Sequence, residues 1–218
     1  MNRQVLLRKI MDAGDEVRRL EQVLVALQSI DIVGYPENYS SLAHQAIIKS
    51  EYLTRKLREL VYNTTNKSWS ELLETSADEM GIIIDYGDDG IVNIEIPCLI
   101  PKRKKKPTDF ITAPLYATLE RFIHEKPTDK PFVRFENCVI CITHIYDEQL
   151  VSRGRKRDYD NIETKGIIDV INAFLLKDDN GFCCKVFQTS EISDRDYTRI
   201  FIMKVDMFFR WVWDMKID

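Results

Sequence analysis

With 218 residues and 25.6 kDa, of which 44% are hydrophobic and 30% charged, the chain is large enough to bury a core and too apolar for a disordered polymer. Its 8 Gly and 7 Pro exclude collagen-like and low-complexity readings, and no apolar run approaches the roughly 18–20 residues that cross a bilayer. The formal charge of -4 argues against nucleic acid only if it is spread evenly, and it is not.

The opening Met1-Asn2-Arg3-Gln4-Val5 has no apolar signal core, and five Cys is an odd count that suits a reducing compartment. The expectation is a soluble, cytoplasmic protein with no membrane partner. From the first residues, Leu6, Ile10, Ala13, Val17, Leu20, Leu24 and Leu27 alternate by four and three, an apolar seam along one helix. Gly34-Tyr35-Pro36 breaks it, and Ser40 or Ser41 is the expected cap of a second helix carrying Ala43, Ala46, Ser50, Leu53, Leu57 and Leu60. Residues 1–66 are therefore read as an antiparallel, coiled-coil-like helical hairpin. Its seam could close within the hairpin or across a dimer.

Residues 67–218 change character and are read as a second, α+β domain. An acidic stretch from Ser68 to Met80 suggests a short helix. Strand-like runs at 81–86 and 91–96 flank Gly87-Asp88-Asp89-Gly90, strong turn chemistry for a hairpin. A helix is expected at 112–125, a long strand over Phe132–Tyr146, and a helix over 161–175. Two further strands follow near 182–189 and 197–205, then an aromatic helix bearing Phe208, Phe209, Trp211 and Trp213, expected to dock on the core or a partner.

Lys and Arg against Asp and Glu number 9 to 8 over residues 1–66, 1 to 8 over 67–100, 14 to 10 over 101–165 and 7 to 9 over 166–218. The bulk acidity hides a basic middle, concentrated in Lys102-Arg103-Lys104-Lys105-Lys106 and in Arg153, Arg155, Lys156 and Arg157. Such clusters fit contacts to a phosphate backbone, or a solvated loop.

Beside the second cluster stands Arg157-Asp158-Tyr159-Asp160-Asn161, followed by Lys165, Asp169 and Asp178-Asp179. In an extended segment Asp158 and Asp160 point to one side, and Asp160 sits where a helix N-cap is expected. Lys165 and Asp169 are four apart and share a helix face. Convergent carboxylates suit a hard cation such as Mg²⁺ and phosphate chemistry. The same residues also suit a cap, a surface ion pair and a solvated turn.

The run RDYDNIETKGIIDVINAFLLKDD resembles the signature of the RusA family of Holliday junction resolvases: D-x-D-N, a Lys, a helical Asp, and a paired D-D after an apolar stretch. The flanking order of elements agrees, over roughly residues 90–205, with the hairpin outside the likeness. The resemblance implies a small mixed sheet with flanking helices and a homodimer that binds branched DNA and cuts it with Mg²⁺, Mn²⁺ being a possible substitute, in recombination and repair. It implies Asp158, Asp160 and Asp179 as metal-binding catalytic carboxylates, Asp178 as a further ligand, and Lys165 beside the scissile phosphate. Lys165 follows Asp160 by five residues where the family has four, a step that turns a helical side chain by about 100°. The alternative is a catalytically inactive RusA-like DNA-binding or assembly protein.

Cys138 and Cys141 match C-x-x-C, but in a strand residues three apart face opposite ways, so no zinc is expected there or at Cys183-Cys184. His44, His124 and His144 share no spacing, and no phosphate-binding glycine loop exists, so no nucleotide is expected.

Overall fold

The computed structural model describes residues 3–65, 77–103, 109–125, 132–151 and 158–214. The chain divides into two compact units, Met1–Leu72 and Leu73–Asp218. In the first, α1 (Arg3–Ser29) and α2 (Pro36–Thr64) fold back on one another. Ala13, Glu16 and Val23 of α1 and Ala46 of α2 are the buried residues where the helices meet, whereas Ile10, Val17 and Leu24 of the expected seam, and Leu57 opposite, are exposed: at Glu16 and Val23 the buried face is turned by one position from the expected one. Glu16 is held by Arg19 of its own helix at 2.8 Å and by Lys56 of α2 at 3.8 Å. The second helix starts earlier than expected. Pro36 occupies its first turn, where a missing N–H costs nothing, so Ser40 and Ser41 lie inside the helix instead of capping it.

The second unit is a mixed α/β domain. Residues 77–80 are helical, and the rest of the expected acidic helix lies outside the described residues. Strands β1 (Ile83–Tyr86) and β2 (Val92–Ile96) form the predicted hairpin, closed where Gly90 adopts φ +78 and its N–H donates to the Gly87 carbonyl at 2.9 Å. Helix α3 (Thr112–His124), strand β3 (Cys138–Asp147), the short α4 (Glu148–Val151), helix α5 (Lys165–Leu175), β4 (Cys184–Ser193), β5 (Tyr197–Lys204) and α6 (Val205–Asp214) follow. The five strands among the described residues lie in the order β1-β2-β5-β3-β4, with β3 and β4 parallel and the other neighbours antiparallel. β3 starts later than expected, because Phe135 forms an isolated bridge with Leu176 before regular pairing begins at Cys138.

Alternation along the strands builds two cores. Cys138, Ile140 and Ile142 of β3, with Ile200 and Ile202 of β5 and Val92, Ile94 and Ile96 of β2, meet Leu115 and Leu119 of α3 and Ile167, Ile171 and Leu175 of α5. The three α5 residues recur at four-residue steps and are essentially fully buried, which fixes the helix on the sheet. On the other face Val139, Cys141 and Met203 pack under Phe208 and Trp211 of α6. The aromatic helix thus docks, although Phe209 and Trp213 remain exposed. No helix among the described residues is long and apolar enough to cross a membrane.

Candidate functional site

Tyr159 is the anchor of the acidic segment. Its ring stacks on His144 of β3, with centroids 5.7 Å apart and planes 26° from parallel, and its hydroxyl lies 3.0 Å from Ser190 Oγ on β4. His144 is buried, and its Nε2 lies 3.2 Å from Gln188 Oε1. The segment therefore sits on the sheet face that carries α3 and α5, toward the carboxyl end of β3.

This anchoring changes the expected local conformation. Asp158 is extended, at φ -74 and ψ 135, and Tyr159–Asn161 form one 3₁₀ turn closed by Asn161 N–H donating to the Asp158 carbonyl at 3.0 Å. Asp160 is not the N-cap of α5. That helix begins at Lys165, preceded by Thr164 in a helical conformation with no side-chain cap. The delay has a physical cause: Ile162, fully buried, is drawn into an antiparallel bridge with Lys102. Arg103 N–H donates to the Asn161 carbonyl at 2.7 Å, and Glu163 N–H donates to the Pro101 carbonyl at 3.0 Å. Backbone committed to those bonds cannot wind into a helix.

The same bridge brings the start of the first basic cluster to the acidic turn. Lys102 and Arg103 are exposed beside it, as are Asp158 and Asp160, whose carboxylates have no hydrogen-bond or ion-pair partner among the described residues. Lys104, Lys105 and Lys106, and all of Arg153, Arg155, Lys156 and Arg157, lie outside the described residues.

Lys165 and Asp169 share a helix face as their spacing predicts, with Nζ 2.9 Å from Oδ1 and 2.7 Å from Oδ2. Hydrogen bonding to Asp169 and its charge raise the lysine above its usual pKa, and Asp179 and Glu163 add to the effect through space. The ammonium is thus oriented along its own helix, with Asp179 in electrostatic range.

Asp178 and Asp179 have different surroundings. Asp178 spends both oxygens on Asn180, accepting from its backbone N–H at 3.1 Å and from its side-chain amide at 2.6 Å. Those bonds, the backbone one foremost, hold its carboxyl below the usual range. Asn180 Oδ1 in turn accepts from Phe182 N–H at 2.9 Å, so Asp178 builds the turn that leads into β4. This turn is tied to the start of β4, whereas Tyr159 is tied to Ser190, six residues or roughly 20 Å further along the strand.

Among the described residues no three His, Cys, Asp or Glu side chains are placed to hold a metal ion together. The donor chemistry of Asp158 and Asp160, exposed carboxylate oxygens only, fits a Mg²⁺ that keeps most of its water and takes one or two carboxylates plus substrate phosphate. Asp178, fully engaged with Asn180, does not fit as a ligand in this arrangement.

Cys138 and Cys141 face opposite cores, as strand alternation predicts. Burial pushes the Cys141 thiol up to about 12, and the hydrogen bond with Cys184 followed by burial holds Cys138 protonated as well. Sequence reasoning missed His144, Gln188 and Ser190, the sheet residues that seat Tyr159. The signal available was the polar Gln188 and Ser190 two apart on a strand and an aromatic enclosed by two aspartates.

A family model matches residues 2–218. The chain belongs to DUF6100, a family of unknown function. No curated protein matches this DUF6100 member. Among solved structures it is similar to the periplasmic domain of Helicobacter pylori MotB (residues 90-256), at 9% identity and a TM-score of 0.33, over 62% of this chain and 86% of that one. It is also similar to a periplasmic domain of MotB spanning residues 64-256, at 10% identity and a TM-score of 0.33, over 63% and 77% of the two chains. Likeness at this level carries no argument about function.

Proposed function

We propose that this DUF6100 chain is a metal-dependent, structure-selective DNA endonuclease of the RusA-like kind, acting on branched DNA as a dimer. One observation carries the reading: the Lys102–Ile162 bridge sets cations suited to a phosphate backbone against exposed carboxylates suited to Mg²⁺. In this reading Lys102 and Arg103 bind the strand that enters the site, and Asp158 and Asp160 hold the metal. A bound Mg²⁺ supplies Lewis-acid stabilisation and a water of lowered pKa. Tyr159, seated on His144 and Ser190, keeps the two aspartates facing outward. Lys165, held protonated by Asp169 with help from Asp179, offers a positive charge on the same side of α5.

A second reading, a non-catalytic DNA-binding or assembly protein on the same fold, is favoured by two details. Lys165 is already paired with Asp169, and Asp178 is already spent on Asn180. Cleavage of a labelled four-way junction, beside linear duplex and flap controls in Mg²⁺, Mn²⁺ or EDTA, separates the two. The nuclease reading expects metal-dependent cutting of the junction that Asp160→Asn abolishes. Tight junction binding with no cutting in either metal supports the second reading instead.

A further inference from the structure

Among the described residues strand β4 is an edge of the sheet: it pairs with β3 along its whole length, from Cys184 opposite Cys138 to Ser193 opposite Asp147, and with no other described strand. It runs ten residues with no proline and no break in register, and Val186 and Ile192 are 45% and 64% exposed. A long, regular edge of this kind presents a row of unpaired backbone donors and acceptors, and it recruits another strand unless something blunts it. The charges on β4 are Lys185 and Glu191 alone, of opposite sign and each three residues from Gln188. The strand is thus charge-palindromic about Gln188.

We propose that β4 is the self-association edge of this protein, pairing antiparallel with β4 of a second copy about a two-fold axis at Gln188. In that register Lys185 of each copy lies directly opposite Glu191 of the partner subunit, giving two cross-strand ion pairs, and Val186 lies opposite Ser190 of the partner subunit. A shift by one residue removes both ion pairs and places Lys185 opposite the partner's Ile192. A second copy is therefore the occupant the edge fits, because an isologous interface needs a surface complementary to itself and this one is.

The register has a consequence for the acidic turn. Residues directly opposite in an antiparallel pair lie on one face, and here even-numbered residues oppose even-numbered ones. Gln188 and Ser190, which seat His144 and Tyr159, therefore come to the same face of a continuous sheet in both copies. Two acidic turns are presented side by side on one surface, related by the two-fold axis. This deepens the dimer of the reading above, yet needs none of its chemistry.

The test is sedimentation velocity on the full chain with Lys185→Glu, Glu191→Lys and the double exchange. Either single variant puts like charges opposite each other twice and is expected to weaken self-association by roughly tenfold, and the double variant to restore it. Both positions are exposed, but Lys185 Nζ also donates to Asn137 Oδ1 at 2.6 Å and to the Phe182 carbonyl at 2.8 Å, so circular dichroism and thermal melting of all three variants check that losing those bonds leaves the fold in place. A wild type that is monomeric at every concentration overturns the proposal. So does a dimer indifferent to the single variants, which leaves dimerisation to another surface, or a double variant that fails to recover.

Discussion

Lys102 faces Ile162 across an antiparallel bridge, which locks a basic loop and an acidic turn into one local unit although 60 positions separate them in the chain. The bridge uses backbone, so the side chains of Lys102 and Arg103 are left exposed beside it. Replacing both with alanine is expected to leave the fold intact and weaken DNA binding. If each side chain meets one phosphate, the slope of log affinity against log salt becomes shallower by roughly 2. A salt titration of the double variant reads this directly. An unchanged slope removes these residues from the interface.

Tyr159 acts through position, and its two contacts separate by substitution. Tyr159→Phe removes the bond to Ser190 Oγ but retains the stack on His144, so it is expected to cost about 1 kcal/mol of stability or less and to leave Mn²⁺ binding within a few fold. Tyr159→Ala removes both contacts and frees the turn that carries Asp158 and Asp160. We expect Mn²⁺ affinity, followed by the paramagnetic signal of the free ion, to fall by tenfold or more in that variant. Equal affinity in the two variants shows that the turn holds its shape without the ring.

The elements that sequence exposed most clearly are those whose side chains face one environment along their whole length. Ile167, Ile171 and Leu175 announce α5, and Gly87-Asp88-Asp89-Gly90 announces the β1–β2 turn, because each pattern is dictated by local geometry. The acidic motif was visible as composition but not as conformation. Asp160 has the chemistry of an N-cap, and only the non-local bridge from Lys102 to Ile162 prevents it from acting as one. The partners of Tyr159 were hidden for the same reason: His144, Gln188 and Ser190 are brought to it by the parallel pairing of β3 with β4, which no periodicity encodes. The start of α2 was obscured differently, since Pro36 at the first turn dispenses with the serine cap that Ser40 and Ser41 suggested.

Gly166, near the start of α5, lies against Thr112 at the start of α3. A Cβ built there meets Thr112 Cγ2 at 3.1 Å, tighter than ordinary packing allows. Gly166→Val is expected to destabilise the domain by about 1–3 kcal/mol, because a branched side chain forces the helices apart. Gly166→Ala gains helix propensity and loses packing in opposite directions, so a double-mutant cycle with Thr112→Ala isolates the contact. We expect Gly166→Ala to stabilise in the Thr112→Ala background by more than it does alone, measured by urea denaturation. Strict additivity places the constraint elsewhere.

Asp178 gives the turn before β4 its own acid sensitivity. Its carboxyl is held below the ordinary value of 3.8 by the backbone N–H and the side-chain amide of Asn180. A depressed folded-state pKa means that the stabilising contribution is present above 3.8 and is lost as pH falls through the lower folded value. Asn180 also accepts from Phe182 N–H, so protonating Asp178 loosens the whole turn. Amide hydrogen exchange of Asn180 and Phe182 is therefore expected to quicken as pH falls from about 5 to about 2, once the intrinsic pH dependence of exchange is subtracted. In Asp178→Asn the acid-dependent component disappears and the turn exchanges at one corrected rate throughout. A wild-type turn whose corrected rate is flat across that window shows that Asn180 is held by the strand it leads into, without help from the carboxylate.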